Sequence, residues 1–214
     1  MATTAPPSKV RTPILADVIT DAIPAARVVL HPTPGTATVA DVEAMLVREG
    51  RLCELIDGVL VEKVMGWYES TLAAVLIQLL RNHVAPQRLG IVAGEGGIVR
   101  LAPRLVRIPD VAFFARARLP EGKRPTTPIA TLAPDLAVEV LSESNTQGEM
   151  EQKLRDYLDA GVRLVWYLDP KKRMAWAYES SERMTCLDES GTLDGGAVLP
   201  GFTLKVSDWL DADD

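Results

Sequence analysis

Asp110, Glu139 and Lys153 have the residue types and the surroundings to do chemistry together. Asp110 interrupts the apolar run LVRIPDVAFFA, Glu139 interrupts DLAVEVLSES, and Lys153 follows in GEMEQKLRDYLDAGV. Taking an ionised carboxylate out of water is costly unless a cation meets it, so acids set among Val, Ile, Leu and Phe ask for a partner. A divalent metal plus a lysine would supply one. Hard cations such as Mg2+ prefer oxygen ligands and often take only one or two carboxylates, keeping waters and substrate phosphates. Metal-assisted phosphodiester cleavage needs such a set, with the metal activating a water and neutralising phosphate charge while a lysine positions that water or stabilises the transition state. Asp110 and Glu139 fit as metal ligands, and Lys153 fits as the cation.

Each residue also has an ordinary reading. As strand residues, Asp110 would share a face with Ile108 and Ala112, and Glu139 with Ala137 and Leu141. Either acid could instead lie near a strand end, exposed or paired to an arginine. Lys153 follows Glu149 by four residues, the spacing of a solvent-facing helix pair. It also flanks the apolar stripe Met150, Leu154, Tyr157 and Leu158, so its stem can lie along a sheet and carry the ammonium inward.

The elements that must position these groups follow from pattern. TATVADVEAMLVREG combines an N-cap threonine, helical apolar spacing and Gly50 as a stop. In RLCELIDGVLVEKV, Asp57-Gly58 between two apolar runs predicts a type I′ hairpin with Ile56 facing Val59 and Glu54 facing Val61. Glu54 then shares a face with Leu52 and Ile56, a third acid in apolar company. WYESTLAAVLIQLLRNHV predicts a long helix packed into the core, with His83 capping its C-terminus. Strands are expected at about 89–93, 97–101 and 106–115. DLAVEVLS reads as a central strand covered on both faces, and a helix at about 146–160 is stopped by Gly161. RLVWYLDP is a second buried strand, parallel to DLAVEVLS through that crossover helix. MAWAYES and MTCLDES add antiparallel strands, and GFTLKVSDWL a last helical turn. The fold class is α/β (α+β), a mixed sheet flanked by helices with added antiparallel hairpins.

The 214 residues suit one domain, read as residues 37–214 behind a flexible Pro/Ala/Thr-rich leader at 1–36. No run of eighteen apolar residues occurs and the N-terminus lacks the order of a secretory signal, so a cytoplasmic location is expected. Two distant cysteines, Cys53 and Cys186, make no metal or disulfide pattern, and two histidines leave little room for His-based centres. A net charge of -6 argues against broad, non-specific DNA affinity and leaves a local site open.

CELIDGVLVEK, RIPDVAFF, LAVEVLSES and EQKLRDYLDAGVRLVWYLDP, in this order, resemble the motifs of the Uma-type (Uma-two) family over roughly residues 38 to 180. The resemblance implies the PD-(D/E)XK restriction-endonuclease-like fold, a helix, a mixed sheet and a second helix packed on it. It also implies that Asp110 takes the place of the PD aspartate and Glu139 that of the acid on the next strand. Three positions depart from the pattern: Leu141 stands where a lysine is expected, its role moved to Lys153; Glu69 lies about where a histidine is common; and SESNTQGEM replaces a stretch that usually carries Pro and an Arg or Asp. Glu54 resembles the additional acid of such nucleases, its role open between metal binding, water activation and hairpin structure.

The expected function is a metal-dependent endonuclease hydrolysing DNA with Mg2+ or Mn2+. A catalytically impaired binding or scaffold protein of the same fold, and a hydrolase of another phosphoester, are the alternatives. DNA as partner rests on the resemblance. The oligomeric state is not legible, though a homodimer would suit cutting both strands of a duplex.

Overall fold

The structure, a computed structural model, describes residues 22–212. It begins with α1, Val39–Ala44, capped by Thr38 and Asp41, which exchange hydrogen bonds across the first turn. The helix widens through Met45–Glu49 and stops at Gly50, which takes the left-handed conformation that glycine adopts without strain. The hairpin follows as expected: β1, Cys53–Ile56, pairs β2, Val59–Glu62, with Ile56 opposite Val59 and Glu54 opposite Val61. Positive φ at both Asp57 and Gly58 is what a type I′ turn requires.

Helix α2, Trp67–Gln87, buries Leu72, Leu76, Leu80 and Val84, one residue per turn along a single stripe. Ala73, Val75, Ile77 and Leu79 pack beside that stripe, while Trp67 and Tyr68 in the first turn are exposed. The helix runs past His83, which does not cap it: the ring Nε2 lies 3.0 Å from the Pro200 carbonyl oxygen. Next come β3, Gly90–Gly94, β4, Val99–Ala102, β5, Leu105–Arg107, β6, Val111–Ala115, and β7, Leu136–Val140. Helix α3, Gln147–Asp159, is N-capped by Thr146 and terminated by Gly161 at φ +85°. It leads to β8, Leu164–Asp169, β9, Met174–Tyr178, β10, Met184–Asp188, the β11/β12 pair, Thr192–Asp194 with Thr203–Lys205, and α4, Val206–Leu210.

The strands form a six-stranded mixed sheet in the order β10-β9-β8-β7-β6-β3 and a four-stranded antiparallel sheet in the order β2-β1-β5-β4. Strands β7 and β8 are parallel across the α3 crossover, and their neighbours are antiparallel. Alternation along β7 sends Leu136, Val138 and Val140 into the core shared with α2 and α4, and Ala137 into the core shared with α3. Glu139 therefore points to the α3 side.

One expected strand is two. Residues 106–115 leave the small sheet after Arg107 and join the large sheet at Val111, so Asp110 is not mid-strand. Pro109 has no N–H to give a ladder, which suits it to the point where the chain changes sheets. Asp110 sits at the seam, its own N–H donating to the Val138 carbonyl at 3.0 Å. Residues 22–36, from the segment read as a leader, lie against the hairpin: the Val29 N–H donates to the Leu60 carbonyl, and those of Gly35 and Ala37 to the Gly58 carbonyl.

Candidate functional site

The four residues singled out from the sequence come together where the two sheets meet α3. Glu54 arrives from β1, Asp110 from the seam, Glu139 from β7 and Lys153 from α3, and all four are 3% exposed or less. Lys153 does not make the helix-surface pair with Glu149. Its ammonium turns inward to Glu139 Oε2 at 2.9 Å and Glu54 Oε1 at 3.5 Å, while Glu149 pairs with Arg27 at 2.5 Å. The i,i+4 spacing allowed the surface pair, but two buried carboxylates gain more from this cation than an exposed pair would, and Glu149 finds its partner in Arg27.

A second lysine completes the centre. Lys63, the residue after β2, places Nζ 2.7 Å from Asp110 Oδ1 and 3.3 Å from Glu139 Oε2, with its side chain 6% exposed. The other Asp110 oxygen accepts from the Val140 N–H at 2.7 Å, and the other Glu139 oxygen accepts from the Tyr157 hydroxyl at 2.5 Å. Asp110 and Glu139 thus converge on one ammonium, with their outward lone pairs held by a backbone and a phenol donor.

Glu54 is engaged differently. Arg107 Nη1 donates to its Oε2 at 2.7 Å, and the Ile108 N–H donates to Oε1 at 3.1 Å. Arg107, fully buried, also grips Asp156 of α3 through Nε and Nη2. Glu54 and Asp156 therefore clamp one guanidinium between β1 and α3, and Glu54 steadies Lys153 from behind.

Burial works to raise the Glu54 carboxyl, but Lys153, Arg107 and Lys63 with the Ile108 N–H outweigh it and hold it down to about 2. Glu139 is also lowered despite burial, by Lys153 and Lys63. Asp110 is pushed up by burial and by the charge of Glu139, against the pull of Lys63. Burial, then Glu139, raise the Tyr157 hydroxyl well above its ordinary value, so it stays a donor.

Among the described residues no group of three or more His, Cys, Asp or Glu forms a ready metal cluster. A divalent ion here would be held by two carboxylates, Asp110 and Glu139, with water completing its shell, a donor set that Mg2+ accepts. Those oxygens already converge on a cation in the form of the Lys63 ammonium, so the donors fit. Glu54 has both oxygens committed to cations and an N–H and belongs to the support of the site.

Lys63, Arg107, Tyr157 and Asp156 were missed by reading the sequence. Arg107 carried a usable signal: a lone charge in LVRIPD stands in the same apolar company that marked Asp110. Lys63 carried none, since a lysine just after a strand is ordinary.

Comparison with known proteins bears on the whole arrangement. The fold matches the crystal structure of a protein described as a "putative nuclease belonging to DUF820" from Anabaena variabilis ATCC 29413, with a TM-score of 0.67 and 20% sequence identity over 75% of this chain and 90% of that one. No curated protein matches. The sequence profile of the Uma2 family, described as "putative restriction endonuclease", matches residues 39–207, a span that takes in both sheets, the helices packed on them and every residue converging at the seam. The chain belongs to the Uma2 family.

Proposed function

We propose that the protein is a divalent-cation-dependent endonuclease acting on DNA phosphodiester bonds. The observation that carries this reading is the convergence of Asp110 and Glu139, on separate elements, on one cation position, with the Lys153 ammonium 2.9 Å from the second carboxylate. Mg2+ or Mn2+, when bound by Asp110 and Glu139, would supply Lewis-acid chemistry at a phosphate. Lys153 donates to one Glu139 carboxylate oxygen and Tyr157 to the other, which holds Glu139 at the seam. Arg107 and Glu54 keep β1 and α3 at the separation this requires.

A second feature favours a nucleic acid as substrate. Arg81, Arg88, Arg116 and Arg124 line a cleft of about 530 Å3 at the edge strand β3, and no carboxylate lines it. In a chain of net charge -6 this is a concentrated positive region. Arg116 lies six residues along the β6 segment from Asp110, about 20 Å at the rise of a strand, or roughly six phosphates of one DNA strand.

The test is cleavage of supercoiled plasmid by purified protein with Mg2+ or Mn2+. Wild type should nick or linearise the plasmid, and Asp110→Asn and Glu139→Gln should each lose at least about 100-fold in rate, the scale of removing electrostatic stabilisation of a transition state. Equal cutting by the variants would defeat the reading. A DNA-binding protein without cutting activity is the second reading, favoured by Lys63 standing in the cation position; it expects DNA binding and no cleavage with any divalent ion.

A further inference from the structure

Two lysines face two carboxylates at the seam: Asp110 and Glu139 contribute two negative charges, Lys63 and Lys153 two positive ones. Glu54, Arg107 and Asp156 adjoin this set, so the buried cluster as a whole carries four negative and three positive charges. A divalent cation held by Asp110 and Glu139 would need the position that the Lys63 ammonium fills between them, and with both ammonium groups in place it would turn the buried, poorly screened cluster from one net negative to one net positive charge, so one lysine must withdraw.

The two lysines are not equivalent. Lys153 is 1% exposed, rises from the middle of α3 and is held by both Glu139 and Glu54. Lys63 opens a non-regular link, residues 63–66, between β2 and α2. It borders a small cleft of about 10 Å3 that Val64, Met65, Glu69 and Lys153 also line. Glu69, in the first turn of α2, offers a carboxylate to an ammonium that leaves Asp110. Both lysines line this cleft, but Lys153 rises from the middle of a helix and Lys63 from an irregular link next to the first turn of α2, so Lys63 is the one placed to swing toward Glu69.

We infer that Lys63 is a built-in cation that holds Asp110 and Glu139 together in the metal-free state, and that a divalent ion loads by displacing it toward Glu69. This rests on the reading of Asp110 and Glu139 as cation ligands. Lys63 is then a positioning and competing residue, one that keeps two buried carboxylates from repelling each other and sets the ion concentration at which the site fills.

The experiment is isothermal titration of Mn2+ into the full-length protein, comparing wild type with Lys63→Met, Lys63→Arg and Asp110→Asn. Lys63→Met keeps the length of the side chain and removes its charge, and should tighten Mn2+ binding at least about 10-fold; Lys63→Arg should leave it near wild type. Asp110→Asn should abolish binding. If Asp110→Asn abolishes binding while Lys63→Met leaves it unchanged or weaker, the displacement inference fails and the metal reading survives. If Asp110→Asn binds Mn2+ like wild type, the metal reading of this site fails and the inference falls with it. Should Lys63→Met be unfolded without metal, circular dichroism during Mn2+ addition decides: recovery of native signal supports the inference, and no recovery overturns it.

Discussion

Replacing Glu54 by glutamine should destabilise the protein in a way that depends on pH, and the structure sets the size of the effect. Glu54 is held down to about 2 against an ordinary value of 4.5 because its carboxylate faces Lys153, Arg107 and Lys63 in a buried site. At about 1.4 kcal/mol per tenfold change in proton affinity, that difference is worth about 3 kcal/mol. The folded-state value lies below the unfolded one, so this contribution is fully present above about pH 4.5 and is lost as pH falls toward about 2. At pH 3 the same linkage leaves about 1.5 kcal/mol. A glutamine at this position would preserve the shape and lose the charge. Equilibrium urea unfolding at 25 °C should therefore find the variant about 3 kcal/mol less stable than wild type at pH 7, and about 1.5 kcal/mol less stable at pH 3. A deficit of the same size at both pH values would mean that packing, not charge, is what Glu54 supplies. A deficit below about 1 kcal/mol at pH 7 would mean that the Arg107 clamp gives nothing net, as some buried ion pairs do.

Two further outcomes test other levels of the structure. Gly58 has φ +87°, and a Cβ there would lie 2.5 Å from the Gly35 carbonyl oxygen and 2.4 Å from Arg104 Nη2; Gly58→Ala should cost about 1–3 kcal/mol by urea unfolding, and a cost below about 0.5 kcal/mol would contradict the turn geometry. Arg88→Glu with Arg116→Glu reverses two exposed charges in the basic cleft; duplex DNA affinity by fluorescence anisotropy should fall at least about 10-fold and its salt dependence should become shallower, with the thermal midpoint unchanged, whereas unaltered binding would remove the cleft from the DNA path.

Local rules read much of the fold correctly because the forces involved are local. The Asp57-Gly58 turn needs positive φ at two consecutive residues, and few dipeptides accept that. The α3 crossover was visible because Gly161 stops it and two apolar strands flank it. The strand at 106–115 misled because continuous apolar character does not say which sheet a residue joins. Pro109 was the local sign of the break, but proline also occurs at strand edges, and only the pairing of Val106 with Leu55 and of Val111 with Val138 makes it a crossing point.

From the residues alone came the family motifs, the hairpin register, the two parallel strands and three acids whose apolar neighbours demanded cations. That much is set by backbone preference and by the cost of burying charge, and neither depends on distant partners. The tertiary structure decided which cations answered. Lys153 had two admissible directions, and Glu149 released it by pairing with Arg27, 122 residues away. Lys63 meets Glu139 across 76 residues, and Arg107 joins Glu54 to Asp156 across 53 and 49. A charge's partner is a matter of distance in space, and when the chain changes sheets at Pro109 that distance is settled by two sheets and a helix meeting at one seam.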